Sequence, residues 1–499
     1  MRSYLVFVLL LAMGGVFVVL QVTRQPERHQ VTVRAATSVD AGPGSGAGVQ
    51  TDAGRRHEAS KRGKRGKRAP DKKAAPRMKR PLRVASLGWE LLAPGVVANG
   101  GATPGKDSLF RKERLDVQLM AFRSLEELEA ALARGGADPL GADVAIAPLP
   151  ELVSALERLR ALAPRIFLVL GWSHGRDGLM AASDVSLTRL PRGRPSLIGQ
   201  RGAAETFFAL FMLELAGVPA SRVRLLEPKD KLSKTAQLAA MERPLPSGVS
   251  VGDRKFVVTT ADATRLVPLV AVAPEGLVKS HGDALAAWGQ VWMEGVERLQ
   301  RDVPTAARQV AALKEAPHAL DLLKRLGQID PAPLMDNARL AGLSGRSALT
   351  LAELFRRSWQ IWRESGVLSS PMPEQIPVYT GIMAAMVHTY PEMVEADPAR
   401  TGPASKADKE PAREELHTLL TYEARGRRPD AAALQGEVAF LAEVFGRAHL
   451  EVSVRGGLKK ARALVEATTS RYDITHPGRI TAVAHHGNRA ARVTIRVGQ

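Results

Sequence analysis

The sequence predicts an α/β protein with a smaller α+β domain at its C-terminal end and a transmembrane helix at its start. Three observations predict this. Between Pro81 and about residue 360, short apolar runs alternate with amphipathic segments at the spacing of strand-helix-strand crossover units, which build a largely parallel sheet. After a stretch rich in Pro and polar residues, a second and shorter set of strands and helices begins near residue 413. Residues 4–20 are apolar apart from small residues, and the uncharged run extends past Gln21 to Val22. The chain thus divides into five segments: a signal anchor or transmembrane helix at 1–23, a basic tether at 24–80, the main α/β region at 81–374, a linker at 375–412 and the C-terminal domain at 413–499.

No charged residue occurs between Arg2 and Arg24, and Tyr4 to Val22 is 19 residues long. As a helix that is about 28 Å, close to the hydrocarbon thickness of a bilayer. Cleaved signals have shorter apolar cores followed closely by a small-x-small site, whereas here the nearest weak candidate is at Ala35-Ala36. The run therefore reads as an uncleaved anchor that exports the rest of the chain. That makes the protein single-pass with its folded domains outside the cytoplasm; the resemblances described below imply a bacterial inner membrane, with the folded domains in the periplasm. Arg24, Arg28 and the basic run oppose this orientation under the positive-inside tendency, so the inverted topology is the competing reading.

The net charge of +19 is concentrated. From Arg55 to Arg80 there are thirteen Lys and Arg against two acids, Glu58 and Asp71. Lys61-Arg62-Gly63-Lys64-Arg65-Gly66-Lys67-Arg68 offers no apolar face, so the segment reads as a disordered tether. Such a run attracts nucleic acid, anionic lipid or anionic wall polymer, and the side of the membrane decides which. On the outer side no nucleic-acid partner is expected. The absence of cysteine excludes disulfides, thiolate metal sites, a cysteine nucleophile and a lipoprotein anchor.

At Pro81 the composition changes. Leu82 to Leu87 is a strand pattern stopped by Gly88-Trp89 and Pro94-Gly95, and Leu115 to Met120 is a second. Ser124 to Arg134 is a helix, with Ser124 three residues before Glu127 as a capping box and leucines 125, 128 and 132 on one face. Ala142 to Ala147 is a buried strand ending at Pro148, Glu151 to Ala163 a helix, and Ile166 to Leu170 a strand ending in Gly171-Trp172-Ser173. Ligands in such sheets bind at the carboxyl ends of strands, where these polar and aromatic residues lie.

These residues carry a family resemblance. Leu82-Arg83-Val84 through Trp89, Ala93-Pro94-Gly95, Asn99-Gly100-Gly101, Leu115-Asp116-Val117, Gly141 to Ala145 and Leu170 to Ser173 with Arg176-Asp177-Gly178 resemble the first lobe of nitrate/taurine/sulfonate-type ABC-transporter substrate-binding proteins, of the type II periplasmic-binding-protein-like fold. Gly202 to Gly217, Val257 to Ala263 and Ala286 to Val296 are similar to parts of the second lobe. The resemblance covers roughly residues 81 to 360 through order and spacing. It implies two α/β lobes closing on a small, often anionic, molecule, and an ABC transporter permease as partner. It places Trp89, Pro148, Trp172, Ser173, Asp177, Gln200, Arg201, Glu205, Thr206 and Asp262 at the cleft, where a bound solute needs an aromatic wall and a few convergent polar groups. Where the family has a Trp-Glu-Pro-like segment this chain has Leu238 to Pro244, which predicts a trimmed second lobe.

In the C-terminal domain, Leu416 to Tyr422, Leu450 to Val454 and Ala491 to Val497 read as strands, and Ala431 to Arg447 and Leu458 to Arg471 as helices. With Pro477 to Val483 and the closing Asn488 to Val497, this order resembles the outer-membrane-protein-A-like (OmpA-like) peptidoglycan-binding domain. That family grips a peptide carboxylate with a loop Asp and a helix Arg. Arg462 matches the arginine by position. The aspartate loop is absent, because Arg455-Gly456-Gly457 runs straight into the helix. Peptidoglycan binding is therefore set against a structural or scaffold role, and Lys459, Lys460 and Arg462 against a solvated helix face.

No phosphate-cradling glycine loop, nucleophile elbow or zinc-protease helix appears. Neither His174 with Asp177 nor His485 with His486 has a third candidate at metal-ligand spacing. The expectation is a binding protein, not an enzyme, with no cofactor and no metal. Relatives in the same superfamily that act in thiamine-pyrimidine synthesis keep the enzyme alternative in view.

Overall fold

A computed structural model describes residues 77–190, 193–228, 236–245, 251–395, 415–424, 430–484 and 491–498. The predicted anchor and the basic run as far as residue 76 lie outside the described residues, as do His485 and His486. Among the described residues no helix is long and apolar enough to cross a membrane. The last residues of the predicted tether already belong to the fold. Arg80 grips Asp143 with both terminal nitrogens, at 2.6 and 2.7 Å, and Met78 is buried.

The chain first lays down β1 (Leu82–Leu87), β2 (Val117–Phe122), β3 (Val144–Pro148) and β4 (Pro164–Ser173). β1 is parallel to β2 and to β3, with Leu82 opposite Val117 and Val84 opposite Val144. The intervening helices are the ones the pattern predicts. Leu125–Arg134 is capped by Ser124, whose hydroxyl accepts from the Glu127 N–H at 3.3 Å, and the helix ends at Gly135 with a positive φ of 73°. Leu149–Leu159 begins at the proline-bearing end of β3.

After Ser173 the chain leaves this sheet and builds another, from β5 (Asp177–Ala181), β6 (Ser196–Ile198), β7 (Arg224–Leu226), β8 (Leu238–Glu242) and β9 (Lys255–Thr259), in the order β7-β6-β8-β5-β9. It then returns as β10 (Pro268–Pro274), which inserts antiparallel between β3 and β4, and β11 (Ile329–Pro331) adds to the free edge of β4. The first sheet is therefore mixed, β11-β4-β10-β3-β1-β2, and not largely parallel as expected. The physical reason is the excursion: a strand that re-enters from a second lobe needs no crossover helix and can run antiparallel. The second lobe's strands span only three to five residues each.

Two apolar clusters form the main cores. One holds Val84, Phe167 and Leu168 against Trp288 and Trp292 of helix Gly282–Arg301. The other holds Ala85 and Val169 and continues through Phe207 and Phe211 of helix Ala204–Leu215 to Phe440 of the C-terminal domain. Helix Ala204–Leu215 is apolar except for Glu205, Thr206 and Glu214 and buried along most of its length, packing on β5 and β8, on helix Leu351–Glu364 and on the C-terminal domain.

The first half of the predicted linker is not a linker. The Tyr379 N–H donates to the Ile166 carbonyl at 2.8 Å, and helix Thr380–Thr389 buries Ile382, Met383 and Met386 against the first lobe. Its sequence carries little amphipathic period, which is why pattern reading passed over it.

The C-terminal domain runs β12 (His417–Glu423), helix Ala431–Val444, β13 (His449–Val454), helix Leu458–Arg471, β14 (Ile480–Ala482) and β15 (Ala491–Val497), with sheet order β12-β15-β13-β14. It docks on the two-lobed part. The Phe440 ring lies 6.4 Å from Phe211 and receives the Arg357 guanidinium 3.7 Å from its centre, while Arg357 also pairs with Glu437 at 2.6 Å.

Candidate functional site: the inter-lobe cleft

The two passages between the lobes, Ser173 to Asp177 and Thr259 to Pro268, lie side by side and are bonded to each other. Ser173 donates its hydroxyl to the Asp177 carboxylate at 2.6 Å and sits 2.9 Å from the Thr260 hydroxyl. The Thr260 N–H meets the Asp177 carbonyl at 2.9 Å, and Asp262 accepts from the Thr259 N–H at 2.9 Å. Two short, cross-bonded segments joining two lobes make a hinge, since few dihedral angles need change for the lobes to move.

In front of the hinge lies a cleft of about 810 Å³, walled by both lobes. Trp89 lines it from the carboxyl end of β1, Pro148 from that of β3, and Gln200, Arg201 and Glu205 from the loop and first turn of helix Ala204–Leu215. Helix Leu149–Leu159 contributes Glu151 and Ser154. The lobes touch here. Glu151 accepts the Ala204 N–H at 3.2 Å, and Gly202, at a φ of 83°, lies so near Ser154 that a Cβ would sit 2.7 Å from its hydroxyl.

Charges dominate the wall. Buried Glu90, next to Trp89, receives Arg176 and Arg325, both at 3.4 Å. Glu242 at the end of β8 receives Arg176 at 2.7 Å and Arg325 at 3.5 Å. Gly88 makes room: its φ is 89°, and a Cβ there would lie 2.6 Å from the Glu90 carboxylate. The other lining guanidiniums are partnered too, Arg123 by Glu315 at 3.3 Å, Arg158 by Glu129 at 2.6 Å and Arg201 by Glu227 at 3.8 Å. Glu151 and Glu205 make no ion pair among the described residues.

Their acidities reflect this. Burial pushes Glu151 up to about 7, against the pull of Arg176 and the Ala204 N–H, with Asp177 and Glu242 adding repulsion. Glu205 is raised well above the usual carboxylate range by burial and by Asp177 and Glu151. Asp177 is pushed up to about 6 by burial, opposed by Arg176 and the Ser173 hydroxyl. Burial works against the charge on Arg176, but Glu242, Glu90, Asp177 and Glu151 outweigh it and raise its pKa. The cleft therefore holds carboxylates that gain from a proton or a cation.

Of the ten residues placed at the cleft from the sequence, Trp89, Pro148, Gln200, Arg201 and Glu205 line it. The other five are not on its wall. Ser173, Asp177 and Asp262 are hinge residues whose polar atoms are spent on backbone and side-chain bonds. Trp172 is 1% exposed and donates its indole N–H to Asp336 at 3.1 Å, under the guanidinium of Arg265. Thr206 is fully buried, with its hydroxyl packed against Gly199. Sequence reasoning passed over Glu90, Glu151, Glu242 and Arg325, because single charged residues spread over 235 positions have no local spacing. Arg462 is exposed on helix Leu458–Arg471, as are Lys459 and Lys460. Among the described residues no group of three or more His, Cys, Asp or Glu is placed to hold a metal ion.

Several solved structures are similar. The periplasmic aliphatic sulphonate binding protein of Escherichia coli shares 14% identity over 59% of this chain and 95% of its own, with a TM-score of 0.43. The periplasmic nitrate-binding protein of Synechocystis PCC 6803 shares 15% over 69% and 94%, with a TM-score of 0.44. The alkanesulfonate-binding protein of Xanthomonas axonopodis, bound to MOPS, shares 14% over 62% and 100%, with a TM-score of 0.41. No protein-family model matches the sequence, and no curated protein matches it. What this cleft accepts is set by its own lining.

Proposed function

We propose that this chain is a membrane-tethered, extracytoplasmic solute-binding-like protein whose two lobes close on a small molecule, for ABC-type uptake or for sensing. The observation that carries this is the double-stranded hinge set beneath a cleft of about 810 Å³ to which both lobes contribute. The predicted anchor at 4–22 and the basic tether would hold the folded part on the periplasmic face of an inner membrane. The full chain, purified in detergent, is heated with sulfonates, nitrate, phosphate, amino acids and amines in turn. A ligand at a hundred times its Kd adds about 2.7 kcal/mol and raises the melting temperature. A panel that leaves the temperature unmoved overturns the reading. A reporter fused after Gln499 tests the topology, and activity confined to the cytoplasm would refute it.

A second reading is favoured by one observation. The cleft's own glutamates already occupy Arg176 and Arg325, as a vestigial site filled from within would do. The chain would then be a non-catalytic scaffold linking inner membrane to peptidoglycan through the tether and an OmpA-like C-terminal domain. Its support is the strand-helix-strand-helix-strand-strand order and exposed Arg462. Retention of the full chain on purified peptidoglycan, reduced by Arg462→Ala, is expected on this reading. No retention at low salt rules it out.

A further inference from the structure

The charge balance of the inter-lobe cleft bears on the chemistry of what it binds. All five arginines on its wall already face a carboxylate within 4 Å: Arg176 and Arg325 share Glu90 and Glu242, and Arg123, Arg158 and Arg201 each have their own. At Arg176 and Arg325 an incoming anion would have to displace the buried Glu90 and leave it without a counter-charge, which is strongly unfavourable, whereas the Arg123, Arg158 and Arg201 pairs lie at the solvent-exposed rim. Glu151 and Glu205 stand in the opposite position. They project from the first turns of two helices in different lobes, line the same cavity, and make no ion pair among the described residues, although Arg176 of the same wall acts on Glu151. Trp89 adds an indole to the wall, the side chain best suited to a cationic head.

We propose that the solute taken into the cleft is a small organic cation, an alkylammonium or guanidinium compound, whose charged group is met by Glu151 and Glu205. This rests on the solute-binding reading above and specifies it. Because the two acids belong to different lobes, a cation held between them is attracted to both walls at once and favours the closed form. In the empty cleft burial raises the pKa of both, with Asp177 and Glu242 adding to it and Arg176 opposing at Glu151, and at Glu151, pushed up to about 7, a proton offsets the charge near neutral pH. A bound cation takes over that role, so uptake of the ligand releases protons.

The full chain in detergent is titrated calorimetrically with putrescine, agmatine and choline, and in parallel with taurine and nitrate. At least one amine is expected to bind, with a heat that changes with the ionisation enthalpy of the buffer and an affinity that rises from pH 5.5 to 8. Glu205→Gln is expected to weaken that amine at least tenfold without lowering the melting temperature, while Arg462→Ala leaves it unchanged. Binding of taurine or nitrate with no amine binding overturns the cationic assignment and leaves the solute-binding reading standing. Amine binding that Glu205→Gln and Glu151→Gln both leave intact also overturns it. Absence of any binding overturns both readings.

Discussion

Replacing Glu151 by glutamine isolates the cost of keeping a carboxylate in the cleft. The side chain accepts the Ala204 N–H at 3.2 Å, and a glutamine carbonyl can accept the same bond. The substitution therefore removes charge and little else. In the folded chain Glu151 is pushed up to about 7 from an ordinary 4.5, chiefly by burial. That gap corresponds to roughly 3 kcal/mol favouring the protonated form. Linkage sets the sign. Below the ordinary carboxylate value both folded and unfolded chains hold the proton, and wild type and variant are equally stable. As the pH rises towards 7 the unfolded chain releases its proton while the folded chain keeps it, so the wild type loses stability. Above 7 the full loss has accrued, and the glutamine variant does not incur it. At roughly 2 °C per kcal/mol for a large domain, Glu151→Gln should melt about 6 °C above the wild type at pH 8.5 and level with it near pH 4. Differential scanning fluorimetry of both proteins across that range measures the gap. Equal melting temperatures at pH 8.5, or a gap of the same size at pH 4, would refute the assignment of Glu151 as a half-buried, unpaired acid.

Three further outcomes are expected. Gly88→Ala forces a residue with a Cβ into a φ of 89° and against the Glu90 carboxylate at 2.6 Å, so it should cost about 1–3 kcal/mol, read as a lowered melting temperature. Ser173→Ala removes the hydroxyl between Asp177 and Thr260 and should destabilise by about 1–3 kcal/mol in denaturant melts, because the Asp177 carboxylate loses its donor inside the hinge. Phe440→Ala deletes a ring buried against Phe211 and beneath Arg357 and should cost about 3–5 kcal/mol, with limited proteolysis releasing the C-terminal domain before the lobes are cut.

Elements whose patterning is local were legible in the sequence. β1 occupies Leu82–Leu87 and the last helix Leu458–Arg471, each with the predicted bounds, because a glycine-bounded apolar run and a Gly-Gly entry need no tertiary information. β10 escaped, although it is the central strand that pairs with both β3 and β4. Its partners lie more than 90 residues away, and nothing in Pro268–Pro274 says that it will re-enter the first sheet. The cleft divides the same way. Trp89 and Pro148 follow from the rule that ligands meet the ends of strands and the 200–205 loop from the family resemblance, whereas Trp172 and Ser173, also at a strand end, are drawn into the hinge by Asp336 and Thr260. The charge balance was illegible because Glu90, Arg176, Glu242 and Arg325 come together only when both lobes have formed.

The C-terminal domain is attached on both sides of the hinge. It contacts the second lobe through Phe440 on Phe211. It contacts elements tied to the first lobe through Arg339, which bonds the Asp473 carbonyl at 2.5 Å and lies 3.5 Å from Glu443, and through Arg346, whose N–H meets Asp473 at 2.8 Å. Helix Leu334–Leu340, which carries Arg339, is fixed to β4 by Asn337, bonded to both the N–H and the carbonyl of Val169 at 2.7 and 2.9 Å. Between these attachments, the Arg265 N–H in the return passage of the hinge faces the Val444 carbonyl at 3.4 Å. A body fastened on both sides of a hinge and to the hinge itself resists its opening, since rotation must shear either the aromatic contact or the charged one. The charged side is the more adaptable, because long arginine side chains can follow a carbonyl through small displacements while two packed rings cannot. Any movement of the lobes about this hinge would therefore be mechanically coupled to the C-terminal domain.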